Sequence, residues 1–275
     1  MKEPRRRARI ALHALLVPLA LIWLMPLWLM FTYSTLPESE FFRAAVPLLP
    51  STAFADNWAA LQSQTRFLRP LANSIATSTI YTILSVLLTS MAGYAFARYR
   101  FFGQRALFTI VIATLTIPYF VVVIPQFILV ARDLGLSNTW IAVIVPPLFN
   151  SVGVFFMRQS FLSLPEELLD AARIDGAGEF YIFWRIALPL VLPALAALSI
   201  ILFLFSWNNF LWPLLVLNSP DAQTAPVALG ALIGLQRVFW NAIMVAAVLM
   251  TAPMLVLFLF LQRYFIAGIT AGAIR

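Results

Sequence analysis

Five carboxylates and three guanidinium groups crowd one stretch of an otherwise sparsely charged chain. Between Arg158 and Pro193 stand Glu166, Glu167, Asp170, Asp175 and Glu179, together with Arg158, Arg173 and Arg185. Carboxylates at this density can make charge-assisted, directional contacts with the arginines of another protein. Other chemistry is excluded by what the chain lacks. It has no cysteine, so disulfides, thiolate metal sites and cysteine nucleophiles are out. Its only lysine is Lys2, so no phosphate-binding loop of the glycine–lysine type can form. Its only histidine is His13, which rules out paired-histidine zinc motifs and reads best as a packed or interfacial residue. The expectation is no catalytic set and no metal site.

A second group of residues could handle a neutral, hydroxyl-rich solute. Gln126, Asn150, Ser151, Asn208 and Asn209 offer uncharged donors and acceptors inside apolar stretches, and Trp207 and Trp212 offer flat rings. These residue types have other uses, because tryptophan collects at membrane interfaces and asparagine bonds helices together. Ser78, Thr82, Ser85 and Thr89 share one helical face, and small polar residues in that pattern predict close helix packing rather than a solute path.

The elements that would position these groups are membrane spans. Of 275 residues, 62% are hydrophobic and 11% charged, against about a quarter charged in soluble domains, and mean hydropathy is +0.92. A span needs roughly 20 consecutive apolar residues. Six uncharged stretches qualify, which predicts an all-α integral membrane fold with spans at about 11–33, 70–97, 106–131, 137–157, 190–217 and 240–262 in one membrane domain over 1–275. The apolar run Ile10–Phe31 outlasts a signal core and no small-x-small site follows, so it is expected to stay as the first span. The spans hold no acidic or basic residue, unlike those of proton-driven carriers and voltage sensors. Uphill transport by this chain would need energy from elsewhere.

Orientation follows from the basic residues. Lys2, Arg5, Arg6, Arg7, Arg9, Arg98, Arg100, Arg105, Arg158, Arg173, Arg185, Arg263 and Arg275 fall on one side, and Arg43, Arg66, Arg69, Arg132 and Arg237 on the other. The side with thirteen should be cytoplasmic and carry both termini. The net charge of +7 then reads as lipid anchoring, not nucleic-acid binding. Ser34–Arg69 and Leu217–Val238 become external.

The cytoplasmic loop 158–189 has its own local signals. Ser163 stands three residues before Glu166, a capping-box spacing, with Pro165 in the first turn. A helix over about Leu164–Ile174 should place Leu164, Leu168, Ala171 and Ala172 on one side. Gly176 suits a left-handed turn, and a second helical stretch, Glu179–Leu188, should end near Pro189.

This loop resembles the EAA loop of permease subunits of binding-protein-dependent ABC importers. The family pattern of Glu-Ala-Ala, three residues, Gly, nine residues, Ile, one residue and Leu-Pro is met by Asp170-Ala171-Ala172, Gly176, Ile186, Leu188 and Pro189. Asp170 replaces the usual glutamate and is shorter by one methylene. Family-like segments also include Asn73–Ser78, Ala92–Phe101, Ile117–Phe127, Trp207–Leu214 and Gln262–Ala273. The likeness is greatest to the second permease subunit of carbohydrate importers of the maltose and glycerol-phosphate type.

The resemblance implies a type I permease fold with a cytoplasmic coupling helix between spans four and five. It implies a prokaryotic inner-membrane complex of this chain, a second homologous permease subunit, two ABC ATPase subunits and an extracytoplasmic solute-binding protein. Cofactors would be ATP and Mg on the ATPases, with none on this chain. Glu166, Asp170, Ala171, Ala172, Asp175 and Gly176 would couple to the ATPase. Gln126, Asn150, Trp207, Asn208 and Asn209 would line the solute pathway, and Asn218, Asp221 and Gln223 would meet the binding protein. The solute would be a di- or oligosaccharide or a glycerol phosphate. The alternatives are a self-sufficient secondary transporter or facilitator, and an intramembrane enzyme.

Overall fold

Apolar length without charge yields long helices, and proline and asparagine decide where they break. A computed structural model describes residues 3–43, 46–233 and 238–273, with side chains over 10–43, 46–233 and 238–262. Lys2, Arg237 and Arg275 lie outside the described residues, as do the side chains of Arg5, Arg6, Arg7, Arg9 and Arg263. The regular structure of the described residues is helical, α with short 3-10 and π turns, apart from one isolated bridge between Ile233 and Val238, and loops and turns join the helices. They fall into two units. The first runs to Leu68 and includes Ala228–Ala252; the second is Arg69–Val227 with the segment from Pro253 on.

In the first unit, α1 (Glu3–Ser34) carries the first apolar stretch. Every residue from Ile10 to Trp28 is exposed, a surface that only lipid or another apolar helix can cover. The connection to α2 (Phe54–Thr65) is ordered by one buried side chain. Asn57 is 2% exposed and its amide donates to Ser34 O (2.9 Å) and Leu36 O (2.8 Å), satisfying carbonyls left open where α1 ends.

The second unit opens with α3 (Leu68–Arg98), a 31-residue helix. Next come α4 (Gln104–Ala113), α5 (Tyr119–Phe127), α6 (Trp140–Ile144) and α7 (Ser151–Leu162). The charged loop after α7 holds α8 (Glu166–Ile174), α9 (Glu179–Tyr181), a π turn over Ile182–Ala187 and α10 (Leu188–Leu190). The remaining helices are α11 (Leu192–Trp207), α12 (Leu211–Val216), α13 (Ala225–Ala231) and α14 (Trp240–Ala273).

Three helical segments can each cross a membrane alone: Ile10–Ser34, Leu68–Arg98 and Trp240–Gln262. Two bent pairs have the length and apolarity of a span between them, Gln104–Thr116 with Tyr119–Asp133 at 96° and Glu179–Leu190 with Leu192–Trp207 at 81°. The expected fourth span, 137–157, is not one helix. Pro146 and Pro147 remove two backbone donors after α6, and Asn150 starts α7 afresh by accepting from Gly153 N (2.9 Å). The expected fifth span, 190–217, is interrupted likewise at Asn208–Phe210.

The serine–threonine face of α3 is packed, as its composition predicts. Ser78, Thr82, Ser85 and Thr89 are all buried. Thr82 and Thr89 donate to Ser78 O and Ser85 O on their own helix (both 2.6 Å). With its hydroxyl so satisfied, Thr89 meets Gly153 of α7, where an added Cβ would lie 2.9 Å from Thr89 Cγ2.

Candidate functional site

The loop after α7 is fixed by arginines that contact carbonyls. A helix C-terminus leaves carbonyls without partners. Here Arg98, the last residue of α3, donates to Phe161 O (2.5 Å) and Leu164 O (2.6 Å). Arg158 returns the contact, with Nε donating to Phe96 O (3.2 Å). The ends of α3 and α7 are thus clasped reciprocally. In the sequence alone both arginines mark only the orientation of the chain.

The capping box does not form. Ser163 Oγ donates backwards to Ser160 O (2.8 Å), and Pro165 occupies the N-cap position with no side-chain cap. Glu166 and Glu167 in the first turn and Arg173 in the last suit the helix dipole instead. The buried face of α8 also differs from the expected one. Leu169 and Ala172 are buried among Tyr94, Phe161, Ile182 and Phe183, while Leu168 and Ala171 face outward and Ile174 is 86% exposed. The outward face is therefore apolar, bordered by the exposed Glu167, Asp170 and Asp175.

The turn after α8 is as the sequence predicts. Gly176 has φ +84°. Its N–H bonds Arg173 O (3.0 Å), and Ala177 N–H bonds Ala172 O (2.9 Å), the paired closure that a left-handed residue permits. This reversal brings Glu179 beside α8. Arg173 donates from Nη1 to Asp170 Oδ1 and from Nε to Glu179 Oε1, both at 2.7 Å, and Tyr99 Oη donates to Glu179 Oε2 (2.8 Å). The Arg173 bond holds the Glu179 carboxyl below the usual carboxylate range, with Tyr99 reinforcing it. Burial, then the Glu179 carboxylate, pushes the Tyr99 phenol up. Asp170 is thus already paired inside the chain, with its side chain 56% exposed. The i, i+3 spacing of Asp170 and Arg173 was the sequence signal for this contact; its extension to Glu179 and Tyr99 required the turn.

A second feature lies where three helices break. The gap between α4 and α5 at Ile117–Pro118, the Pro146–Asn150 break and the Asn208–Phe210 break surround a cavity of about 870 Å³. Gln126, Asn150, Asn208 and Asn209 all line it. Tyr119, Phe120, Phe205 and Phe210 add aromatic surface that sequence reading did not single out. Pro118 and Pro125, with Pro146 and Pro147, mark in the sequence where these helices bend. Broken backbone within a membrane is tolerated where it lines a cavity, because the freed polar groups need partners. Trp207 does not line it: the ring is 2% exposed and stacks on Phe203 with centroids 5.5 Å apart. Trp212 contributes to the wall, but its indole N–H is committed to Ala142 O (2.8 Å).

Asn218 and Asp221 are exposed on the α12–α13 connection, and Gln223 is half-buried. The connection is pinned to the start of α3. Asn73 donates to Asp221 O and Gln223 O (both 2.9 Å), Ser74 Oγ accepts from Ala225 N (2.7 Å), and Arg69 pairs with Asp221 (2.8 Å).

Known proteins resemble this chain in sequence and fold. The chain is 41% identical to the arabinooligosaccharides transport system permease protein AraQ of Halalkalibacterium halodurans, over 94% of this chain and 93% of that one. It is 33% identical to the sn-glycerol-3-phosphate transport system permease protein UgpE of Yersinia pestis, over 98% of both. The fold matches a solved bacterial ABC transporter involved in import of the acidic polysaccharide alginate, with a TM-score of 0.77 at 24% identity over 96% of this chain and 99% of the other. Residues 85–271 match the model of the binding-protein-dependent transport system inner membrane component family. An all-helical permease fold, uncharged spans and a likeness that runs nearly end to end agree, and the chain belongs to that family of inner-membrane transport components.

Proposed function

We propose that this chain is one of two permease subunits of an ATP-driven importer for a sugar or sugar-like solute. The near full-length likeness to an arabinooligosaccharide permease at 41% identity carries this reading. The solute class extends to glycerol phosphates through the second relative. A separate binding protein would deliver the solute to the outer face, where Asn218, Asp221 and Gln223 lie on a loop held firm by Asn73 and Ser74. A pair of ATPases would bind ATP and Mg beneath. On this reading α1, α3, α4–α5, α6–α7, α11–α12 and α14 each make one crossing, with both termini in the cytoplasm.

The loop 158–189 is the docking element. Leu168, Ala171 and Ile174 would seat in an ATPase groove while Asp170 and Asp175 meet its basic residues. Asp170 would do so with the oxygen that Arg173 leaves free. Reconstitution tests the whole reading. Vesicles holding both permeases, the ATPases and the loaded binding protein should take up labelled arabinooligosaccharide only with ATP. Equal uptake by this chain alone would establish the self-sufficient carrier instead.

The cavity would pass the solute. Asn208 and Gln126 have no side-chain hydrogen bond to the protein among the described residues, so Asn208→Leu and Gln126→Leu test the pathway without breaking the fold. Each should lower uptake by a few-fold to about tenfold, the worth of one hydrogen bond, while the binding protein still stimulates ATP hydrolysis. Unchanged uptake in the double variant would remove the cavity from the path.

Arg173→Met tests the loop network. The pairs are partly exposed, so stability should change by about 1 kcal/mol or less, but solute moved per ATP should fall because α8 loses its tie to Glu179. In the wild type the network persists at neutral pH. Glu179 has its carboxyl lowered in the native state, so the unfolded chain binds more protons in the acid range. The stabilisation is present above the ordinary carboxylate range and lost as pH falls through the native value. Coupling measured at pH 6 and pH 8 should agree.

A further inference from the structure

Arginines gather where α3 ends and α4 begins, and no acid among the described residues pairs with them. From Asn57 to Arg132 and from Leu134 to Pro165 the sequence has no Asp or Glu. The ion pairs among the described residues all lie elsewhere, at Arg43, Arg69, Arg132 and Arg173. Arg98 is occupied with the carbonyls at the end of α7. Arg158 uses Nε on Phe96 O and rests its guanidinium 4.3 Å from the centroid of the Phe108 ring, which fixes the group and leaves its other donors open. No hydrogen bond or ion pair among the described residues engages the Arg105 side chain.

These groups line a built cavity. Arg105 and Arg158 face a space of about 340 Å³ walled by Phe96, Gln104 and Phe108. Arg100 and Arg105 line a hollow of about 710 Å³ that shares Gln104 with it. Gln104 Nε2 donates to Phe96 O (3.0 Å), so the amide oxygen remains as an acceptor for a hydroxyl. Two guanidinium groups with spare donors and one neutral acceptor suit a phosphate that carries a hydroxylated substituent.

The surroundings distinguish a lipid from a soluble phosphate. The cavity sits at the end of a 31-residue apolar helix and the start of another apolar one. Phe102, between Arg100 and Arg105, is fully exposed at 105%, and Leu107 and Ile110 on α4 are 48% and 60% exposed. A phenyl ring gains by leaving water for an apolar medium. Apolar rings next to unpaired cations match the boundary between acyl chains and headgroups.

We propose that this cavity holds the phosphate headgroup of an anionic membrane lipid, with Arg105 and Arg158 as its ligands and Phe102 anchored among the acyl chains. The proposal rests on the chain being a membrane-spanning importer subunit. Phosphatidylglycerol is the probe. The complete transporter is placed in bilayers of phosphatidylcholine with or without phosphatidylglycerol, extracted in mild detergent, and its retained lipid counted by native mass spectrometry. The wild type should retain phosphatidylglycerol. Arg105→Gln should lower retention by roughly fivefold, the effect of one basic residue near an anionic surface, and Arg105→Lys should restore most of it. Millimolar inorganic phosphate should not displace the lipid.

Equal retention by Arg105→Gln overturns the site, and displacement by inorganic phosphate makes it one for a soluble anion. ATP-dependent uptake is followed in vesicles of both mixtures. Absence of wild-type uptake in both mixtures would sink the transport reading. Unchanged lipid retention by Arg105→Gln with uptake intact would sink only the lipid site.

Discussion

Gly176→Val is expected to abolish ATP-dependent uptake while the protein still inserts in the membrane in normal amount. The reason is confined to the backbone. Nothing lies within 4 Å of a Cβ added at Gly176, so no clash is involved. Its φ of +84° is the difficulty. An L-residue in the left-handed region costs roughly 1–2 kcal/mol, and a β-branched one more. The cheapest relief is to open the turn. Opening it breaks the Ala177–Ala172 and Gly176–Arg173 bonds, draws Glu179 away from Arg173, and frees α8 from the core under Leu169. On the proposed reading that helix carries the motion of the ATPases to the spans.

Gly178 supplies the control. It also has open space around it, but its φ is −71° with ψ 154°, so Gly178→Ala should transport normally. Gly176→Asn should fall between, because asparagine tolerates the left-handed region better. Normal uptake by Gly176→Val would remove the loop from coupling.

The turn and the three long helices were legible in the sequence because each depends on local properties. A glycine after a short helix and twenty uncharged residues carry the same message in any surroundings. The face of α8 was not legible. Within nine residues it has Leu168, Leu169, Ala171, Ala172 and Ile174, which nearly encircle it, so composition permits several buried faces. The choice of Leu169 and Ala172 is made by Ile182 and Phe183, beyond the turn.

The bends at Pro118 and at Pro146–Pro147 were legible from the prolines, while the break at Asn208–Phe210 was not. Absence of charge measures compatibility with lipid and says nothing of backbone breaks, which Pro146–Pro147 and Asn208–Asn209 impose. Those same breaks bring Gln126, Asn150, Asn208 and Asn209 together. The polar pathway residues were therefore recognisable singly, while Trp207 was not separable from them, since it precedes Asn208 yet points into the core. The roles of Arg98 and Arg158 depend on how closely α3 and α7 approach, and that distance is set by two glycines.

Gly93 should be the least replaceable of them. A Cβ there would lie 2.7 Å from Met157 Cβ and 2.8 Å from Arg158 N. Neither atom can rotate aside, so α3 and α7 must part. Parting strains the Arg158–Phe96 and Arg98–Phe161 bonds together and loosens the contacts of Tyr94 with Phe161 and Phe183. Overpacking alone costs about 1–3 kcal/mol, and each buried polar group left without its partner adds about 1–3 kcal/mol. Gly93→Val should leave little folded protein in mild detergent, and Gly93→Ala should lower the thermal midpoint. Met157→Ala should not rescue Gly93→Ala, because Met157 Cβ and Arg158 N both remain. Gly153→Ala is the informative contrast. Its Cβ would meet Thr89 Cγ2 first, at 2.9 Å, so Thr89→Ser, which deletes that methyl, should restore part of the lost stability. Rescue of Gly93→Ala by Met157→Ala, or none of Gly153→Ala by Thr89→Ser, would mean that the two helices are not held at the separation these glycines require.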